Sequence, residues 1–339
     1  ADMEFVQFHP TTMVGTNILI SEAARGEGGI LLNSKGDRFM QRYAPKSIDL
    51  APRDIVTRSI QMELEEGRGL GEEKDHVALD LTKLGQDVLV RKLPQIYKLA
   101  QDFLDVDAAE EPIPVQPGQH YTMGGVRTTN DGTSSVKGLF ACGECACVSV
   151  HGANRLGGNS LADTLVFGKL AGAKALEFAR KLKLKGVSKE ALEAEEEKVD
   201  ALFRNTGEDA VEVRRQLQSL MWSKVGIFRT EKELVDAREG IAALKEKYRN
   251  VSVRDSSRTF NTLLPAAIEL GFMLDNAEMI ALGAHLRQES RGSHYRRDFT
   301  ERDDRNWLKH TIATYGKDGP VIEHEPVRIT MFEPQRRVY

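Results

Sequence analysis

The 339-residue sequence has little cysteine and few aromatics: three cysteines, and Phe, Trp and Tyr together at 6%. Three thiols cannot form the paired framework that staples small secreted domains. They stand at Cys142, Cys145 and Cys147 in a C-x-x-C-x-C run, and no second cysteine pair completes a four-ligand zinc site. The run therefore reads as structural, and no metal is expected. No run of eighteen apolar residues occurs, so no direct membrane span is expected, and no signal-peptide pattern is visible. No G-x-G-x-x-G occurs, so the glycine turn that cradles a dinucleotide pyrophosphate is missing. The formal net charge is only -4 and no basic stripe is interleaved with aromatics, so no nucleic-acid partner is expected.

What is present is ordinary for a soluble, multidomain chain: 40% hydrophobic and 29% charged residues, in a length that suits two or three domains. The opening Ala1-Asp-Met-Glu-Phe-Val-Gln-Phe-His9-Pro10 starts on the edge of a strand, which reads as a chain beginning within a fold. Residues 3–8 read as a short strand ended by Pro10. Residues 30–40 read as a hairpin turning at Asn33 to Gly36. Residues 54–66 read as a helix entered at Asp49 or at Pro52-Arg53 and left at Gly67, and Val77 to Leu81 as a strand. Leu89, Leu93, Ile96, Leu99 and Phe103 carry helical spacing. Pro112, Pro114 and Pro117 mark a hinge between modules.

Beyond the hinge come a strand over 138–143 and a long apolar helix from about Leu161 to Leu182. From Ser188 to about Gln288 the pattern is helical and charge-laced. Thr230-Glu-Lys-Glu233 is a capping box, and Leu234, Ala237, Ile241, Leu244 and Tyr248 form one apolar stripe. This reads as a three- or four-helix bundle, and the last forty residues as short strands, clearest over 327–332.

The richest stretch is His151-Gly-Ala-Asn-Arg155-Leu-Gly-Gly-Asn-Ser160-Leu161, between a strand and an apolar helix. A glycine turn at a helix N-terminus suits an anion or cofactor, and an arginine fork suits a carboxylate. Arg53 opens a helix, where a cation is electrostatically misplaced. The plain reading is a pairing with Asp54. Its pKa is too high for acid–base work unless burial among other cations depresses it. Glu22 and Arg25, three apart, read plainly as a helical ion pair. His9 and His120 each read alone as structural histidines. Glu144, at the end of a strand, is placed to accept from a ribityl or ribose hydroxyl.

The motifs Met3-Glu-Phe-Val-Gln-Phe-His9-Pro-Thr, Ser21-Glu22-Ala-Ala-Arg25-Gly-Glu-Gly-Gly, Pro52-Arg53-Asp54, His120-Tyr-Thr-Met-Gly-Gly, Gly138-Leu-Phe-Ala-Cys-Gly-Glu144 and the 151–161 stretch occur in that order. Together they resemble the flavoprotein subunit of succinate dehydrogenase and fumarate reductase. Glu289-Ser-Arg-Gly-Ser-His294-Tyr, Asn306-Trp-Leu-Lys-His310-Thr and Phe332-Glu-Pro334 resemble that family's C-terminal module.

The resemblance implies a multidomain α+β fold in five parts. Residues 1–8 would be a remnant of the FAD-binding α/β domain, 9–117 an inserted dicarboxylate-binding capping domain, and 118–184 the returning FAD-domain segment. Residues 185–290 would be a helical bundle and 291–339 a small C-terminal α+β domain. His9, Ser21, His120 and Arg155 would hold succinate or fumarate, with Ser21 where the family usually has threonine. Arg53 would exchange the substrate proton, and Glu22 and Arg25 would relay it. Glu144, Ser160 and Leu161 would touch FAD, most of whose site would lie outside this chain. The implied partners are an iron–sulfur subunit and a membrane anchor, with peripheral attachment on the cytoplasmic or matrix side. The expectation is a fragment inactive alone. L-Aspartate oxidase, which shares the fold, and a non-catalytic truncated product are the alternatives.

Overall fold

The computed structural model describes residues 1–183, 186–317 and 319–335. The expected boundary at 184/185 and the last four residues lie outside them. The chain divides into two compact units. One, the sheet unit, comprises Val6–Tyr121, Asn154–Gly157 and the residues from Arg328. The other, the helical unit, comprises Ala1–Phe5, Thr122–Ala153 and Gly158–Val327.

The sheet unit is built on β1 (Val6–Met13), β2 (Ile30–Leu32), β3 (Val77–Asp80) and β4 (Ile113–Thr122), in the order β1-β4-β3-β2. β3 pairs antiparallel with both neighbours, Leu79 facing Leu31 on one side and Ile113 on the other. Helices α1 (Ala23–Gly26), α2 (Met40–Tyr43), α3 (Arg53–Glu65), α4 (Gln86–Lys92) and α5 (Pro94–Leu104) belong to this unit. Val56 and Ile60 of α3, Leu89 of α4 and Ile96 of α5 share one core with Leu31, Leu79 and Val115. Removing such side chains from water is the main driving term.

Three expectations are corrected here. β1 runs through Pro10 to Met13; β1 lies at the sheet edge, where a proline's missing N–H breaks no ladder. Pro114 and Pro117 lie inside β4, not at a hinge. β3 begins at Val77, opposite Val115, so Pro117 is beyond its reach and removes no bond on that side. Residues 30–40 form no hairpin: the Asn33 turn exists, with Gly36 N–H donating to Asn33 O, but β2 pairs with β3 and α2 follows.

The helical unit contains β5 (Val126–Arg127) and β6 (Ala146–Cys147), a short parallel pair, then α6 (Asn159–Lys181). The expected strand over 138–143 does not form. Phe140 makes only an isolated bridge to Thr133, since a buried parallel strand needs ladder neighbours and the described residues give it none. Glu144 therefore sits in a 3-10 turn, 143–145, rather than at a strand end. Along α6, Leu161, Leu165, Val166 and Leu170 are exposed, and only Asp163 and Ala171 are buried.

Helices α7 (Lys189–Arg204), α8 (Ala210–Lys224), α9 (Glu231–Tyr248) and α10 (Leu263–Leu286) make the expected bundle. Thr230 Oγ1 accepts from Glu233 N–H, and Leu234, Ala237, Ile241 and Leu244 are buried along α9. A short helix, α11 (Asp304–Trp307), precedes the antiparallel pair β7 (Lys309–Thr314) and β8 (Val321–Pro326). The strand expected over 327–332 is thus displaced: alternation alone does not make a strand, and the partner of β7 is 321–326. Met331 and Phe332 are exposed instead.

Candidate functional site

β1 carries the first residue of the site. His9 is fully buried. Thr11 N–H donates to its Nδ1 at 3.2 Å, so the neutral ring carries its proton on Nε2. That Nε2 is buried and has no partner among the described residues. Burial, and then the charges of Arg53, His120 and Arg25, push the proton affinity of His9 down to about 2. The ring is a neutral donor with nothing to donate to, an arrangement that costs free energy unless an acceptor arrives.

His120, near the end of β4, packs edge-on to His9 with ring centroids 5.2 Å apart. Arg155 donates through Nη2 to His120 Nε2 at 2.8 Å, which places the histidine proton on Nδ1. Burial, Arg53 and Arg155 lower its pKa to about 4. The Arg155 guanidinium also lies over the Tyr121 ring, 4.3 Å from the centroid.

Arg53 is the first residue of α3, following Pro52 at the cap. It pairs with Glu22 rather than with its neighbour Asp54, Nε to Oε2 at 3.1 Å. The Glu22 side chain is 41% exposed and that of Arg53 only 11%, so the pair connects a shielded cation to solvent and adds little stability. Gly157 makes room for it: a Cβ there would come within 3.3 Å of both Arg53 Nη2 and Glu22 Oε2.

Arg25 is buried and donates from Nη1 to the Asp49 carbonyl, while its Nε and Nη2 have no partner among the described residues. Burial, against the attraction of Glu22 and Asp49, lowers its pKa. The plain Glu22–Arg25 ion pair is not what forms. Ser21 is exposed just before α1.

His9, His120, Arg155, Arg53, Glu22 and Arg25 thus all belong to the sheet unit. A shielded cluster of guanidinium groups and neutral imidazoles is suited to an anion with more than one carboxylate. Burial and the neighbouring cations depress the proton affinities of His9, His120 and Arg25.

Sequence reasoning gave no role to Gln7 or Asn154, and read Asp54 only as the ion-pair partner of Arg53. Gln7 is fully buried in β1, and its Nε2 donates to Asn154 Oδ1 at 2.6 Å and to the Arg155 carbonyl at 2.7 Å. Its Oε1 accepts from Arg53 Nη1 at 3.4 Å. Asn154 Nδ2 donates to Asp54 Oδ1 at 2.9 Å. The available signal was a glutamine inside an otherwise apolar strand opening.

The three expected cofactor residues lie in the helical unit. Glu144 is exposed and accepts from Thr122 N–H at 3.0 Å. Ser160 and Leu161 are in the first turn of α6, whose start at Gly158 has no side-chain cap. α6 packs on the 143–145 turn, where a Cβ on Gly143 would lie 3.4 Å from Thr164 Oγ1. A carboxylate acceptor beside an uncapped helix start fits the hydroxyls and phosphate oxygens of a flavin nucleotide. His151 also lies in this unit, with Nε2 3.3 Å from Asp163 Oδ2.

Comparison with known proteins gives concordant matches. Residues 1–161 match the FAD binding domain family, and residues 214–339 match the fumarate reductase flavoprotein C-terminal family. The chain is 43% identical over 358 residues to the succinate dehydrogenase flavoprotein subunit of Rickettsia bellii, covering 100% of this chain and 60% of that protein. It is 43% identical to the fumarate reductase flavoprotein subunit of Haemophilus influenzae, covering 100% of this chain and 59% of that one. Among solved structures, a chain of E. coli quinol fumarate reductase superposes with a TM-score of 0.92 at 42% identity, over 100% of this chain and 61% of that chain. The chain therefore spans about 60% of the length of the relatives it matches.

Proposed function

The chain belongs to the flavoprotein-subunit family of succinate dehydrogenase and fumarate reductase, and from that premise we propose that it carries the dicarboxylate-handling part of an FAD-dependent succinate–fumarate oxidoreductase. The observation that carries the reading is the sheet-unit cluster: two histidines held neutral by burial and neighbouring cations, one with a buried Nε2–H that has no partner among the described residues, beside three arginines.

In this reading His9, His120, Arg155 and Ser21 hold the two carboxylates of succinate or fumarate. Neutral histidines contribute directional N–H donors, and the arginines contribute charge. Arg53 delivers or removes the proton at the substrate carbon. Glu22, at 3.1 Å from Arg53 and partly open to water, passes it on, with Arg25 behind it. FAD, when bound, supplies the hydride acceptor or donor. Glu144 and the first turn of α6 at Ser160 and Leu161 would hold part of that cofactor.

The domain reading follows: residues 9–117 cap the substrate, 1–8 and 118–184 belong to the FAD domain, and 185–290 and 291–339 form the bundle and C-terminal domain. The whole subunit would pass electrons to an iron–sulfur subunit on a membrane anchor, and so to quinone. No helix of the described residues is long and apolar enough to cross a membrane, and attachment would be peripheral, through those partners.

The test is a substrate panel with a dye acceptor. The chain is assayed alone, and again with the FAD-binding remainder of the family's length supplied. Flavin binding and succinate-dependent dye reduction only in the second preparation are expected. Turnover of L-aspartate and not succinate would replace this reading with aspartate oxidase. No flavin and no turnover in either preparation would leave a non-catalytic product.

A further inference from the structure

Resting on the reading just given, we propose that Asp54 is a positioning residue for Arg53, acting through a buried amide relay, Asp54–Asn154–Gln7, whose polarity its carboxylate sets. All four residues lie in the sheet unit. A carboxylate only accepts, so Asn154 turns its NH2 to Asp54 Oδ1, at 2.9 Å. That leaves the Asn154 carbonyl facing Gln7, which must answer with Nε2, at 2.6 Å. The second proton of the same NH2 goes to the Arg155 carbonyl at 2.7 Å. Both Gln7 donors are then spent, and Oε1 alone is left for Arg53 Nη1, at 3.4 Å.

The consequence is electrostatic as well as geometric. A carbonyl oxygen facing the guanidinium favours its charged form and fixes its plane; an NH2 in the same place would oppose two donors. Gln7 also ties Arg53 to the main chain of Arg155, so the proton-exchanging group and a carboxylate-holding group keep one spacing. Gln7 is fully buried and Asp54 nearly so. Arg58 donates to the other Asp54 oxygen, Oδ2, at 3.0 Å along α3, and stands outside the relay.

Asp54→Asn keeps shape and volume but lets position 54 present an NH2, so Asn154 and then Gln7 can turn over. The experiment compares succinate–dye kcat and KM across pH in the complete FAD-containing subunit for wild type, D54N, Q7M, the D54N/Q7M double variant and R58Q. We expect D54N to lose about tenfold in kcat, with KM within about twofold, as a misplaced reacting group should. In succinate oxidation Arg53 must take up the proton, so the acidic limb of the D54N kcat profile should move to lower pH, because an N–H facing the guanidinium favours its neutral form. Q7M should lose at least as much, the double variant should be no worse than Q7M, and R58Q should turn over like wild type.

The relay is refuted if D54N stays within about twofold of wild-type kcat, or if the D54N and Q7M losses multiply in the double variant. An R58Q loss equal to that of D54N would mean that Asp54 merely holds α3. Arg53→Ala belongs in the same series: wild-type turnover there would bring down the proton-exchange reading and the relay's purpose with it, whereas a dead R53A beside an unaffected D54N removes the relay alone.

Discussion

Arg287 in the helical unit and Arg25 in the sheet unit are both buried guanidinium groups, and they differ in what their N–H groups meet. Arg287 donates from Nε to Glu4, from Nη1 to Glu289 and the Trp307 carbonyl, and from Nη2 to the Lys309 carbonyl and Thr311. All five donors of that guanidinium are used. Glu289 in turn takes a two-pronged bond from Arg291, which reaches Asp304. Arg25 has one carbonyl partner, and its Nε and Nη2 nitrogens have none among the described residues. His9 is in the same condition, whereas His310 of the helical unit is bonded to Asp2 at 2.6 Å. A buried guanidinium whose donors are all spent specifies structure, even with Glu4 Oε2 beside it unpartnered among the described residues; unspent donors in a shielded cluster of cations lack an acceptor that the described residues do not provide.

The sharpest way to break this contrast is to replace both arginines by methionine. Arg287→Met leaves the fully buried Glu4 and Glu289 without their shared cation, and should cost about 3–5 kcal/mol in a denaturant titration of the chain. Comparable stability in wild type and R287M would show that the network is not structural in the sense argued.

Acid should separate the units next. His9 and His120 hold protons in the folded state only near 2 and 4, against an ordinary 6.5. The unfolded chain therefore binds more protons as the pH falls below about 6.5. Their contribution is whole above that pH and declines as pH falls through the window toward 4. His310, raised by Asp2, has the opposite sign: its contribution is whole below 6.5 and is lost as pH rises through its elevated value. Hydrogen exchange at about pH 7 and about pH 5 should show sheet-unit amides losing protection first. Earlier loss in β7, which carries His310, would contradict this.

The smallest effect belongs to the second methionine. Arg25→Met removes a cation whose burial is poorly compensated, and should leave stability within about 1 kcal/mol of wild type or improve it, while turnover of the completed subunit falls. A loss as large as that of R287M would erase the distinction between the two regions.

Legibility in the sequence followed the same division. The bundle was readable because Leu234, Ala237, Ile241 and Leu244 repeat at helical spacing and Thr230 caps them, which is local information. The candidate site residues were singled out only through ordered motifs resembling a family. His9 and Glu22 are 13 residues apart in sequence and Arg155 lies far beyond, so no local rule joins them. The strands were misread where non-local pairing decides. Pro10 and Pro117 are tolerated because of where their strands lie in the sheet, and 138–143 fails as a strand because it has no ladder partner. Gln7 and Asn154 stood inside the motifs, yet their bonds to Arg53, Arg155 and Asp54 needed three-dimensional placement to be seen.

The central claim is that the unsaturated cluster handles a dicarboxylate and that Arg53 moves its proton. The most direct measurement is kcat for succinate oxidation in the completed subunit, wild type against Arg53→Ala, with dicarboxylate affinity and melting temperature measured on the same preparations. The account predicts a loss of about 10²–10⁴ in kcat, affinity retained within about tenfold, and an unchanged melting temperature. Turnover near wild type in R53A, or a loss confined to affinity, would contradict it.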